Sequence, residues 1–134
     1  MKDKDFIIAI DFDGTCVTHE YPEVGCDIGA YFILLALVEG GAKLVLNTMR
    51  SGKELEDAVK WFEDRGIKLH GVNETPGQKK WTSSPKVYAH IYVDDSTLGC
   101  PTTTDGMCER PYVKWADVGP MLFDLLEKWK GSNK

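Results

Sequence analysis

The stretch Phe6-Ile7-Ile8-Ala9-Ile10-Asp11-Phe12-Asp13-Gly14-Thr15 decides how the rest of the chain reads. Five apolar residues stand between acids, three of them isoleucine, a pattern that suits a strand buried on both faces, as in a parallel sheet. The run ends in two aspartates one residue apart, and side chains at i and i+2 share a face, so both carboxylates can look into one pocket. Gly14 permits the sharp turn that follows. The same arrangement returns downstream. Lys43-Leu44-Val45-Leu46 stops at Asn47-Thr48, and Ala89-His90-Ile91-Tyr92-Val93 stops at Asp94-Asp95. A further strand is predicted over residues 67 to 72.

Between these strands the period changes. Asp27 can cap a helix over roughly 28 to 39, ended by Gly40-Gly41. Ser51-Gly52-Lys53-Glu54 matches a capping box, and Leu55, Ala58, Val59 and Phe62 follow as one helical stripe that Gly66 stops. Val118, Met121, Leu122, Leu125, Leu126 and Trp129 trace a face of a closing helix, with Pro120 tolerated in its first turn. Alternating strands and helices predict an α/β fold: a three-layer, Rossmann-like parallel sheet in a single domain spanning residues 1 to 134. Right-handed crossovers bring every strand's carboxyl end to one edge, where such sheets bind ligands.

The 134 residues suffice for one core, and 16 basic against 21 acidic residues give a net charge of −5. That balance argues against wrapping nucleic acid or an anionic membrane, which need a basic surface. The longest apolar run, Ala30 to Val38, is too short to span a bilayer, and the acidic start does not read as a secretory signal, so a cytoplasmic location is expected. Cys16, Cys26, Cys100 and Cys108 include no Cys-x-x-Cys pair and read as reduced thiols.

Asp11, Asp13, Asp94 and Asp95 therefore converge on one edge. Four carboxylates in a small pocket repel one another unless a divalent cation neutralises them, and hard oxygen donors favour Mg2+. The residues carry a resemblance here. Asp-x-Asp-Gly-Thr after the first strand is similar to the first motif of the haloacid dehalogenase superfamily. The strand ending in Thr48 resembles the second motif, and a lysine ahead of a strand ending in Asp94-Asp95 resembles the third and fourth. The match spans about residues 6 to 95.

The resemblance implies a magnesium-dependent phosphomonoester hydrolase acting through an aspartyl-phosphate. Asp11 would be the nucleophile and Asp13 the acid/base. Thr48 would bind phosphoryl oxygens, and Lys86 would neutralise charge, with Lys79 and Lys80 as alternatives. Asp11, the Asp13 main-chain carbonyl and Asp95 would hold the metal, supported by Asp94. Superfamily caps enter after the first motif or before the lysine; here both gaps are about a dozen residues, so a capless member is expected. Its open site would take a small phosphorylated substrate, with room for an oligomeric partner to cover it. Residues 96 to 115 read as a long loop at the rim.

Other residues read as structural. Arg50 reads as an exposed helix-start residue and His19 as part of a loop. His70, His90, Trp61, Trp115 and Trp129 read as packing groups, and Trp81 has no clear place. A phosphotransferase, or a phosphatase for nucleotides or nucleic-acid ends, are alternatives within the enzymes. A receiver-like signalling domain needs its phosphoacceptor after the third strand, and none stands near Val72. A catalytically silent binding domain would be marked by loss of Asp11 or Asp13, and both are present.

Overall fold

The computed structural model describes residues 4–104, 106 and 108–132. Its frame is a parallel sheet of four strands: β1 (Ile7–Ile10), β2 (Lys43–Leu46), β3 (Gly71–Val72) and β4 (Ile91–Val93), in the order β3-β2-β1-β4. Helices α1 (Ala30–Glu39), α2 (Gly52–Asp64) and α3 (Trp115–Ser132) complete the α/β architecture, with a 3-10 turn at Gln78–Lys80. Two short strands, β5 (Thr102–Thr103) and β6 (Tyr112–Val113), pair antiparallel beyond β4.

The strand order dictates what covers each face. The steps from β1 to β2 and from β2 to β3 run in one direction, so right-handed crossovers put α1 and α2 on the same side. Phe6, Ile8, Ile10, Leu44 and Leu46 face that side and pack with Leu34 and Leu37 of α1, Ala58 and Phe62 of α2, and Val118, Leu122 and Leu126 of α3. β3 and β4 lie at opposite edges, so residues 73 to 90 must cross the other face. That crossing holds only the 3-10 turn, and Val87, Tyr88 and Ala89 close over Ile7, Ala9 and Val45. Helices therefore cover one face and an irregular segment the other.

Several boundaries differ from expectation. β3 is two residues long, Gly71 opposite Val45 and Val72 opposite Leu46, so residues 67 to 70 of the expected strand lie outside it. Gly29, not Asp27, takes the cap position of α1, though the Asp27 side chain two residues ahead accepts from the main-chain N–H groups of Ala30 (3.1 Å) and Tyr31 (3.0 Å). Ser51 takes the cap position of α2, but its side chain makes no cap bond. Gly52 behind it has φ 54°, a left-handed start that turns the first N–H groups from the box geometry. α3 begins at Trp115, which puts Pro120 in the second turn, where one i→i−4 bond is forgone. The expected loop over residues 96 to 115 contains the β5–β6 hairpin; its positions 105 and 107 lie outside the described residues. All four cysteines are free, and no helix among the described residues is long and apolar enough to cross a membrane.

Candidate active site

Because the strands are parallel, Asp11, Thr48 and the Asp94-Asp95 pair leave the sheet along one edge, beside a cavity of about 600 Å³. The N–H of Asp11 donates to the Val93 carbonyl at 3.0 Å, carrying the pairing of β1 with β4 one step beyond the strands. Asp11, Asp94 and Asp95 each offer an oxygen, and these atoms lie within 4.8 Å of one another. Thr15 stitches the group together. Its fully buried hydroxyl donates to Asp11 Oδ2 (3.0 Å), lies 3.3 Å from Asp95 Oδ1, and accepts from the Asp95 N–H (3.1 Å).

Crowding of this kind has an electrostatic cost. Burial, then the negative charge of Asp94, push the Asp11 carboxyl from its ordinary 3.8 to about 8. The donor set is all carboxylate, and a divalent cation placed among the three would relieve the repulsion that raises Asp11. These three residues could hold a metal ion.

Gly14 is required here for two reasons. Its φ is +79°, and a Cβ would meet the His19 imidazole and come within 2.7 Å of Asp95 Oδ2.

Asp13 is held differently. Arg50 Nε donates to its Oδ2 and Nη2 to its Oδ1, both at 2.7 Å, a two-pronged ion pair. The arginine is fixed in turn. Nη2 also donates to the Glu23 carbonyl (2.7 Å), Nη1 to those of Pro22 (3.3 Å) and Glu54 (3.2 Å), and the guanidinium lies about 5 Å from the ring centres of Phe12 and Tyr21. Arg50 is 3% exposed. The expectation of an exposed surface arginine is corrected: carbonyls of the 22–23 loop and the first turn of α2 converge on it, and no sequence pattern reports that convergence.

Thr48 lines the cavity; its N–H donates to the Asn73 side chain (2.8 Å) and its hydroxyl accepts from the Arg50 N–H (3.1 Å). Lys86 is not brought to the cavity. It is exposed, precedes β4 at the far end of that strand, and holds its ammonium 5.4 Å from the Tyr92 ring centre. Lys79 lies 3.8 Å from Glu74, and Lys80 is exposed; neither lines the cavity. The reason is the crossover: these lysines belong to the segment that covers the face of the sheet, not to its carboxyl edge.

His19, read as part of a loop, does reach the site, and so does Arg110, which no sequence pattern singled out. His19 Nε2 lies 3.2 Å from Asp95 Oδ2 and 3.1 Å from the Pro111 carbonyl. Arg110, from the hairpin connection, lines the same cavity, as do Tyr21 and the fully exposed Met49. Of the residues read as packing groups, Trp61 and Trp115 are buried and His70, His90 and Trp129 are partly buried. Trp61 and Trp115 are 4% and 3% exposed, and His90 accepts from the Ile7 N–H (3.0 Å) and packs against Trp129.

No protein-family model matches the chain, and no curated protein matches it. Among solved structures it is similar to a conserved protein coded by a locus of Bacteroides thetaiotaomicron. The two are 28% identical, the alignment covers 90% of this chain and 92% of that one, and the TM-score is 0.74.

Proposed function

We propose that this chain is a magnesium-dependent phosphomonoester hydrolase that works through an aspartyl-phosphate on Asp11. The observation that carries the reading is the meeting of Asp11, Asp94 and Asp95 within 4.8 Å beside Thr48 and the forked Asp13, in a cavity open to solvent. Asp11 and Asp95 would hold Mg2+ with the Asp13 main-chain carbonyl, and Asp94 would support them. When bound, the ion would neutralise the carboxylates and the phosphoryl oxygens they face.

In the first step a carboxylate oxygen of Asp11 attacks phosphorus. The bond from phosphorus to the leaving oxygen breaks, and that oxygen takes a proton that Asp13, ionised while paired with Arg50, must first gain from solvent. In the second, Asp13 takes a proton from water as the water attacks the aspartyl-phosphate. Inorganic phosphate leaves and the Asp11 carboxylate is restored. Both Asp13 oxygens accept from Arg50, so proton transfer needs one prong of the fork to open while the other keeps the carboxyl oriented. Thr48 offers its hydroxyl to the phosphoryl oxygens during both steps.

The test is hydrolysis of an aryl phosphate with Mg2+ and after thorough chelation, followed by acid quench and mass analysis of the peptides. Metal-dependent turnover with the phosphoryl group on Asp11 is expected. Unchanged activity after chelation, or a phosphoryl group on another residue, would overturn the reading.

A further inference from the structure

A phosphoryl dianion entering this cavity meets four carboxylates. The side chains that could offset them along its lining are two guanidinium groups, Arg50 and Arg110, and the His19 imidazole. Arg50 is committed to both oxygens of Asp13 and to three main-chain carbonyls, and it is 3% exposed. His19 is engaged by Asp95 and the Pro111 carbonyl. Arg110 differs: it is exposed, and among the described residues no hydrogen bond or ion pair holds its guanidinium. One divalent ion does not cancel four carboxylates and a phosphoryl dianion, so the entering group needs a further cation within reach. The lysines ahead of β4 do not line the cavity.

The placement of Arg110 is built into the fold. It immediately precedes Pro111, which disfavours helical backbone at position 110. The Pro111 carbonyl lies 3.1 Å from His19 Nε2. Two residues on, the Val113 N–H donates to the Gly14 carbonyl at 2.9 Å, and Trp115 Nε1 donates to the Thr15 carbonyl at 2.7 Å in a buried bond. The hairpin is thus fastened at two points to the loop that follows Asp11, and the start of α3 at a third. A residue next to the first fastening is held at the wall of the cavity that the acid cluster lines.

We propose that Arg110 binds the non-bridging phosphoryl oxygens of the substrate. It would supply from the β5–β6 hairpin the positive charge that the sequence alone assigned to a lysine before β4. This rests on the phosphohydrolase reading above. A planar guanidinium can bond two phosphoryl oxygens at once, which aligns the group for in-line attack as well as balancing its charge.

The experiment compares wild type, Arg110→Ala, Arg110→Lys and Lys86→Ala in turnover of an aryl phosphate. Binding of inorganic phosphate in the presence of Mg2+ is followed by calorimetry, and Mg2+ binding is measured separately. Arg110→Ala should lose about 10²-fold or more in kcat/KM, the size seen when one preorganised donor to a developing charge is removed. It should also weaken phosphate binding at least tenfold while Mg2+ affinity stays within about twofold. Arg110→Lys should recover part of both losses, since it restores the charge without the fork. Because residue 110 is exposed, circular dichroism and Tm should match wild type. An active wild type with Arg110→Ala unchanged in turnover and phosphate binding overturns the assignment and leaves the phosphohydrolase reading standing. So does a loss confined to Lys86→Ala. A wild type that neither turns over phosphomonoesters nor binds phosphate with Mg2+ overturns both.

Discussion

Asp11 and Asp13 differ by two positions and by everything around them. The first is crowded by other carboxylates; the second is gripped by a guanidinium. Substitution should separate them. Asp11→Asn should abolish turnover and weaken Mg2+ binding, because a neutral amide neither attacks phosphorus nor balances the cation. Asp13→Asn should keep Mg2+ affinity near normal and lose about 10²–10⁴-fold in rate, the usual range for a general acid–base. Kinetics and magnesium titration of both variants check this, and equal metal loss in the two would contradict it. Arg50→Ala should destabilise the fold by about 2–4 kcal/mol. It leaves Asp13 unpaired and three carbonyls without donors, though water can reach part of the Asp13 side chain. Arg50→Lys should recover little, since an ammonium cannot form the fork. Denaturant titration reads both.

Among the secondary-structure elements, strand β6 and the start of α3 act on the site by donating to main-chain carbonyls of the loop that follows Asp11. Trp115 is the clearest link. It fills the core beneath α3 and donates to the Thr15 carbonyl, while the Thr15 side chain joins Asp11 to Asp95. Trp115→Phe keeps most of the apolar contact and removes the donor. It should cost about 1–3 kcal/mol, the penalty for a buried acceptor left unpaired, and should lower Mg2+ affinity by loosening Thr15. A variant with the stability loss and wild-type magnesium binding would show that the hairpin and α3 support the fold without tuning the acid cluster.

Over the whole molecule, the acid cluster couples stability to pH and to metal. Asp11 in the folded, metal-free chain titrates near 8, against 3.8 ordinarily. Between those values the fold holds a proton that the unfolded chain has released, so this group makes stability fall as pH rises from about 4 to about 8. The slope it contributes is at most about 1.4 kcal/mol per pH unit. Thermal unfolding in chelator should therefore be less pH-dependent in this window in Asp11→Asn than in wild type, with the variant gaining on wild type towards pH 8. Mg2+ should raise the wild-type Tm, and more at pH 8 than at pH 6, because binding must first displace that proton. Identical pH profiles with and without Mg2+ would speak against a cation at this cluster.

Periodicity by itself determined the β1–β2 pair, helices α2 and α3 and the parallel α/β class, while α1, apolar almost all round, took its bounds from Asp27 and Gly40-Gly41 rather than from a period. It also led to Asp11, Thr48 and Asp94-Asp95 meeting at one edge. Those follow from side-chain alternation, helical stripes and the handedness of crossovers, all of which are local or topological rules. The tertiary structure alone decided the rest. Arg50 looked like a surface residue because its partners, Asp13, Pro22, Glu23 and Glu54, come from three separate segments. Lys86 looked well placed because it precedes the strand of Asp94-Asp95, but the crossover to β4 runs over a sheet face and keeps it from the edge. Arg110 carried no signal at all. Two-residue strands are too short for a period, and the bonds that fasten the hairpin beside Gly14 reach residues about 100 positions away. A pattern can report which way a side chain points along its own element; it cannot report which distant carbonyl waits there.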